Sequence, residues 1–260
     1  MRARRRQWSA ARPAVILLLA LAAATCRRQR ATPPAGIDWD RAAFALQLVR
    51  AEYREQTETG DFSRVPALIA VVDDARSEIG ERDPRARWLQ EVLGRIRDAL
   101  LAHAPSRTVA RMSTEAAAQL AGQGIPLSTP SARPDLGRGA ALYQVACFPC
   151  HGPPRGPPPP AAAHLVPQPP RPTESALTPY ELFNRVTYGG AATPMPSFAA
   201  TLSPAERWGV AFFLFADRWP PCASSRWQPL PAAALAHMSD SDIWRADGWG
   251  AAACLRRNFR

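Results

Sequence analysis

The sequence predicts an all-α protein, and three observations carry that prediction. Apolar residues recur at helical, 3.6-residue spacing through the first half of the chain. Two hydroxyl–Pro–x–Glu sequences, at Thr178 and Ser203, have the form of helix starts. No strand-type alternation of apolar and polar residues flanks the paired cysteines at 147 and 150.

The helices fall in order. Phe44, Leu48 and Tyr53 mark one stripe within 39–58. Phe62, Val65, Leu68, Ile69, Val72 and Ile79 mark a second, and Trp88, Leu89, Val92, Leu93, Ile96 and Leu100 a third. Gly60-Asp61 and Asp83-Pro84 separate them. This predicts a small three-helix module, with a further short helix over 113–121, so that 37–121 is one helical unit. Residues 122–134 are rich in Gly, Pro and Ser and read as a linker. A second unit spans 135–219. Its first helix covers 135–146, and its later helices start at Thr178-Pro-Tyr-Glu181 and Ser203-Pro-Ala-Glu206. Between them, 10 of the 20 residues over 153–172 are Pro, which excludes regular helix and central strand and leaves a long loop. Residues 220–260 form a tail.

Charge and composition exclude several classes. Hydrophobic residues make up 47% of the 260, too many for a disordered chain. The net charge is +10, and all 32 basic residues are Arg. Eight of them lie in 1–30 and three in 256–260, so 31–255 is nearly neutral. A nucleic-acid binder carries its charge as a patch on the folded domain, so that class is set aside. Met1-Arg-Ala-Arg-Arg-Arg6 followed by the apolar run 14–24 has the pattern of a secretory signal or an uncleaved N-terminal anchor. Cys26, after Leu21-Ala-Ala-Ala-Thr25, resembles a lipoprotein site imperfectly. Residues 1–30 are therefore read as an address to the periplasm, with membrane association through the N-terminus as one outcome.

The chemistry lies in Cys147-Phe-Pro-Cys150-His151, a C-x-x-C-H pattern. Two thiols so spaced can add to the two vinyl groups of one porphyrin, and the adjacent imidazole can take the iron. The competing readings are half a zinc site, for which no second ligand pair is near, and a thioredoxin-like pair, which needs an α/β setting. One covalent haem c is expected. Its sixth ligand is assigned to Met195, in the Gly- and Pro-flanked stretch Tyr188-Gly-Gly-Ala-Ala-Thr-Pro-Met195-Pro-Ser-Phe198. His164, Met238 and Met112 are the other candidates.

Residues 135–219 resemble a class I cytochrome c. Gly139 and Tyr143 stand on the first helix, then come C-x-x-C-H-G, a long loop, a middle helix, the Met-Pro loop, and a last helix with Trp208, Phe212, Phe213 and Phe215. The resemblance implies that Gly139 and Tyr143 pack against Trp208 or Phe212.

A wider resemblance is to the soluble, extracytoplasmic half of the cytochrome c/FTR1-type iron permeases. It rests on Leu46-Gln-Leu-Val-Arg-Ala-Glu-Tyr-Arg54, Thr193-Pro-Met-Pro-Ser-Phe198, Leu202-Ser-Pro-Ala-Glu-Arg-Trp208, Ala211-Phe-Phe213, Leu235-Ala-His-Met-Ser-Asp240 and Cys254-Leu-Arg-Arg257. No apolar run of 18 residues follows residue 30, so the permease itself is not expected in this chain. The resemblance implies that ferrous iron, oxidised at or near a permease, passes its electron to the haem. Arg54-Glu55-Gln-Thr-Glu58 fits the R-E-x-x-E iron pattern of those permeases, with Glu52 one turn back. A solvated charged face is the other reading of these glutamates.

Cys222 and Cys254 remain. In an oxidising compartment they are read as a disulfide, whose loop closure is worth roughly 3–4 kcal/mol, with two free thiols as the alternative. The expected function is one-electron transfer, non-enzymatic in kind, with a redox partner protein that is either an iron permease, a respiratory oxidase or a periplasmic dehydrogenase. A haem enzyme or sensor is the remaining alternative.

Overall fold

A computed structural model describes residues 37–79, 84–218, 229–245 and 254, and all regular structure among them is helical. The first helix, α1 (Trp39–Thr59), starts where the Asp38 side chain accepts from the Arg41 N–H at 3.0 Å. It ends at Gly60, whose φ of +72° is left-handed. α2 (Val65–Glu78) and α3 (Pro84–Leu101) follow, with Leu68, Val72, Leu89, Leu93, Ile96 and Leu100 fully buried along their expected stripes. Phe62, expected at the head of the second stripe, lies outside α2 and stacks on His103 at 4.5 Å.

The expected short helix over 113–121 is a full helix, α4 (Ser106–Gly122). It packs along α1 and buries Val109, Ser113, Ala116 and Leu120. Small residues hide this stripe from a hydropathy pattern: Ser113 is buried because its hydroxyl donates back to the Val109 carbonyl at 2.9 Å.

α5 (Leu136–Ala146) is capped by Asp135, which accepts from the Arg138 N–H at 2.9 Å. A single turn, α6 (Phe148–His151), follows it. α7 (Pro179–Tyr188) and α8 (Pro204–Asp217) both open on the expected capping boxes, with Thr178–Glu181 and Ser203–Glu206 exchanging their bonds. Glu206 also takes Arg138 of α5 at 2.7 Å. Arg138, and then the Ser203 groups, hold its carboxyl below the usual range. α9 (Ala232–Ala236) and a helical stretch over 240–245 bring Leu235, Ala236 and Ile243 onto the α5–α7–α8 core.

α5 and α8 cross where both backbones are bare. A Cβ on Gly139 would stand 2.2 Å from the Gly209 carbonyl oxygen. The closest approaches are of Gly139 to Gly209 and of Tyr143 to Phe213 at 5.8 Å, within a core cluster that also holds Trp208 and Phe212. Closest approach falls where neither helix carries a side chain, and the aromatic contact falls one turn further along both.

The described residues from Asp38 onward belong to one compact unit. α1 lies against α7 as well as against α2 and α4. Gln47 donates to the Glu181 carbonyl at 3.1 Å, and Arg50 meets the Glu181 carboxylate at 2.6 Å. Asp40 accepts from Tyr180 at 2.7 Å, from the Ser128 N–H at 3.0 Å, and from the Ser128 hydroxyl. The stretch over 122–134 is thus pinned to α1 at Ser128.

Glu52 stands between two guanidinium groups, Arg185 of α7 at 2.6 Å and Arg64 at 3.7 Å, with its side chain 9% exposed. Neutralising it leaves two cations facing each other in a poorly hydrated place. Glu52→Gln is expected to lower stability by about 2–3 kcal/mol, discounted for the partial exposure of both arginines. A denaturation midpoint equal to that of the parent protein would refute this.

Candidate haem site

The site begins at the end of α5. The Cys147 N–H donates to the Tyr143 carbonyl at 2.9 Å, and the chain turns once more through α6. Cys150 and His151 N–H groups both donate to the Cys147 carbonyl, at 3.1 and 2.9 Å. The two thiols therefore flank a single helical turn. Neither is in a disulfide; Cys147 is half-buried and Cys150 exposed. Burial first, and Cys150 second, push the Cys147 thiol up to about 11. A thioredoxin-like pair needs an α/β setting, and all regular structure among the described residues is helical.

The turn stops at Gly152, whose φ is +67°. A Cβ there would stand 2.5 Å from the Pro157 carbonyl oxygen, so only glycine fits as the residue after the histidine. The Gly152 carbonyl accepts from the buried Tyr143 hydroxyl at 2.8 Å, tying the turn to α5.

His151 is oriented by the Pro-rich loop. Its Nδ1 lies 2.9 Å from the Pro170 carbonyl oxygen. A carbonyl only accepts, so Nδ1 carries the proton and the Nε2 lone pair is free for a metal. Burial lowers the imidazole pKa, against the opposing Pro170 bond, and favours this neutral form. The orienting carbonyl was not legible in the sequence as a particular residue. The signal was the proline density itself: a proline-filled loop has few N–H groups to occupy its own carbonyls.

Met195 is held in a tight loop between α7 and α8. Gly189 has φ +83°, and a Cβ there would meet the Met195 carbonyl oxygen at 2.7 Å. The Gly190 N–H donates to that same oxygen at 3.2 Å, and the Met195 N–H donates to Thr193 Oγ1 at 3.3 Å. Ser197 Oγ donates to the Thr187 carbonyl at 2.6 Å, and the Phe198 N–H donates to Val186 at 3.1 Å. Met195 is half-buried. Of the other sixth-ligand candidates, His164 is exposed in the Pro-rich loop, Met238 packs against the α7–α8 core, and Met112 is on α4.

The donor set fits a covalent haem c. Two unpaired thiols lie one turn apart, an imidazole offers a free Nε2, and a methionine is held by backbone hydrogen bonds in a tight loop.

The three candidate iron-binding glutamates are not assembled into a metal site. Glu52 is taken by Arg185 and Arg64, Glu55 by Arg64 at 3.1 Å, and Glu58 by Arg54 at 3.8 Å. A guanidinium beside each carboxylate replaces the charge a cation would supply. Among the described residues no group of three or more His, Cys, Asp or Glu could hold a metal ion. Cys254 is buried and disulfide-bonded, while Cys222, its expected partner, lies outside the described residues. The expected signal over 1–30, with Cys26, also lies outside them. Among the described residues no helix is long and apolar enough to cross a membrane.

A family match over residues 134–214 supports a cytochrome c domain there. The matching family model is described as cytochrome c oxidase, cbb3-type, subunit III. No curated protein and no solved structure matches the chain.

Proposed function

We propose that this chain is an exported c-type cytochrome that passes single electrons, holding one haem c through Cys147, Cys150, His151 and Met195. The observation that carries the reading is His151, whose Nδ1 is engaged by Pro170 beside two unpaired thiols and leaves Nε2 for iron. A haem c held this way supplies a ferric–ferrous couple that takes and gives one electron at a time. Cys147 and Cys150 would hold the group through thioethers, each S–H adding across a vinyl double bond with its hydrogen going to the other vinyl carbon. With His151 and Met195 both holding the iron, the site would leave no place for substrate or water, which favours a carrier over an enzyme or sensor.

The donor in this reading is ferrous iron, which loses one electron to the ferric haem beside an iron permease of the FTR1 type. The support is the resemblance that runs from Leu46 to Arg257. A second reading, in which the partner is a respiratory oxidase, draws on the family match over 134–214. Titration of the oxidised protein with ferrous iron, with and without the permease, separates them. Reduction of the haem at stoichiometric Fe²⁺ is expected. Haem that stays ferric in both arms overturns the iron reading and leaves the oxidase as partner.

A further inference from the structure

We infer that α1 braces the loop that carries Met195, with Tyr188 as the positioning residue through which it acts. This rests on the reading of Met195 as an iron ligand. The loop over 189–198 leaves and rejoins the chain at one place, the last turn of α7. Ser197 bonds back to Thr187 and Phe198 to Val186, while Gly190 bonds across the loop to Met195. The direction of that turn therefore sets where the thioether lies. Beyond Tyr188 the backbone is Gly189-Gly190, which has no stiffness of its own.

The last turn is gripped from outside by α1. The Tyr188 hydroxyl donates to the Asp38 carboxylate, 3.1 Å from each oxygen. The Phe44 ring lies 4.9 Å from the Tyr188 ring, and the Arg41 guanidinium lies over its face at 5.1 Å. Burial, and then the charges of Asp38 and Asp40, push the phenol pKa up, so it remains a donor. All three contacts come from within two turns of α1, and none from the cytochrome c domain. Ligation by the thioether competes with opening of the loop, and contacts made only in the closed state shift that balance toward ligation. The helical module would then set how tightly the iron is closed, in addition to burying a face of α7.

The test uses the full ferric holoprotein, with imidazole as a probe that enters only when the methionine leaves. Tyr188→Phe removes one hydroxyl and is expected to speed imidazole binding about tenfold, the value of one charge-assisted bond. Tyr180→Phe is the control, because it removes the matching phenol–carboxylate bond, to Asp40, at the far end of α7. It should leave the rate unchanged. Equal acceleration in both variants would mean general loosening and would overturn the inference, as would an unchanged rate in Tyr188→Phe. Phe44→Leu trims the ring contact and should accelerate binding in the same direction, which keeps the test decisive if Tyr188→Phe does not hold haem. Met195→Ala separates the two levels. If it binds imidazole no faster than the parent protein, the ligand reading itself fails. If it binds fast while Tyr188→Phe stays slow, only the brace fails.

Discussion

Met195→Ala is expected to produce a haem protein that is still covalently loaded but open at the iron. On the proposed ligation, Cys147, Cys150 and His151 are untouched by the change, so attachment and the His151 bond would persist. The iron would lose its thioether, and alanine has no donor to replace it. A thioether favours the ferrous state, so its loss lowers the reduction potential. The expected drop is on the order of 0.1 V or more, within the ~0.8 V that axial ligation spans. The ferric protein should lose its methionine–iron charge-transfer band and bind cyanide, and the ferrous protein should bind carbon monoxide. An optical spectrum unchanged by the substitution would assign the sixth position to another residue, with His164, Met238 and Met112 next in line. The fold itself should survive, because the loop is tied by the backbone bonds of Gly190 and Phe198 and the hydroxyl of Ser197.

Gly139→Ala is expected to have the largest effect on folding. The added Cβ would stand 2.2 Å from the Gly209 oxygen, 2.4 Å from its carbonyl carbon and 3.0 Å from the Val210 nitrogen. All three atoms belong to the backbone of another helix, so no side chain can swing away. α5 and α8 would have to part, and with them the contact of Tyr143 with Phe213. A cost of about 3 kcal/mol or more follows, at the upper end for overpacking. Gly137→Ala provides the contrast. Its Cβ meets only the Asp135 side chain, at 3.4 Å, and the gain in helix propensity should make it neutral or stabilising by roughly 0.5–1 kcal/mol. Chemical denaturation of the two variants side by side checks the pair. Equal midpoints would show that the crossing is looser than 2.2 Å implies.

Much of this architecture was legible locally. The apolar stripes of α1, α2 and α3, both capping boxes and the C-x-x-C-H-Gly turn depend on residues within a few positions of each other, and a pattern reading captures such signals. What escaped was long-range or lacked an apolar marker. The upstream part of α4 carries no apolar stripe, because Ser106, Thr108 and Ser113 are polar, although Ser113 is fully buried. Nothing in the sequence pairs Gly209 with Gly139, because a bare glycine has no mark that says which backbone it will touch. Pro170 is one proline among ten in the sequence, and only the fold sets its carbonyl against His151. In the sequence Tyr188 marks only the edge of the methionine loop. Its partners Asp38, Arg41 and Phe44 lie more than 140 residues upstream, a separation that no periodicity records.

Asp40 has a consequence for how the gene could be divided. One carboxylate takes Tyr180 of α7 and both donors of Ser128, while the Ser128 carbonyl lies 3.2 Å from His237 Nε2 near the C-terminal end. Four distant stretches of chain thus meet around one side chain. A cut placed in the Gly- and Pro-rich stretch would look neutral in the sequence, yet it would strand the Tyr180 hydroxyl, the Glu181 carboxylate and the Arg185 guanidinium on a newly bared surface. An evolutionary lineage that shed the helical half would have to rebuild that surface of α7 before the remaining cytochrome could stand alone.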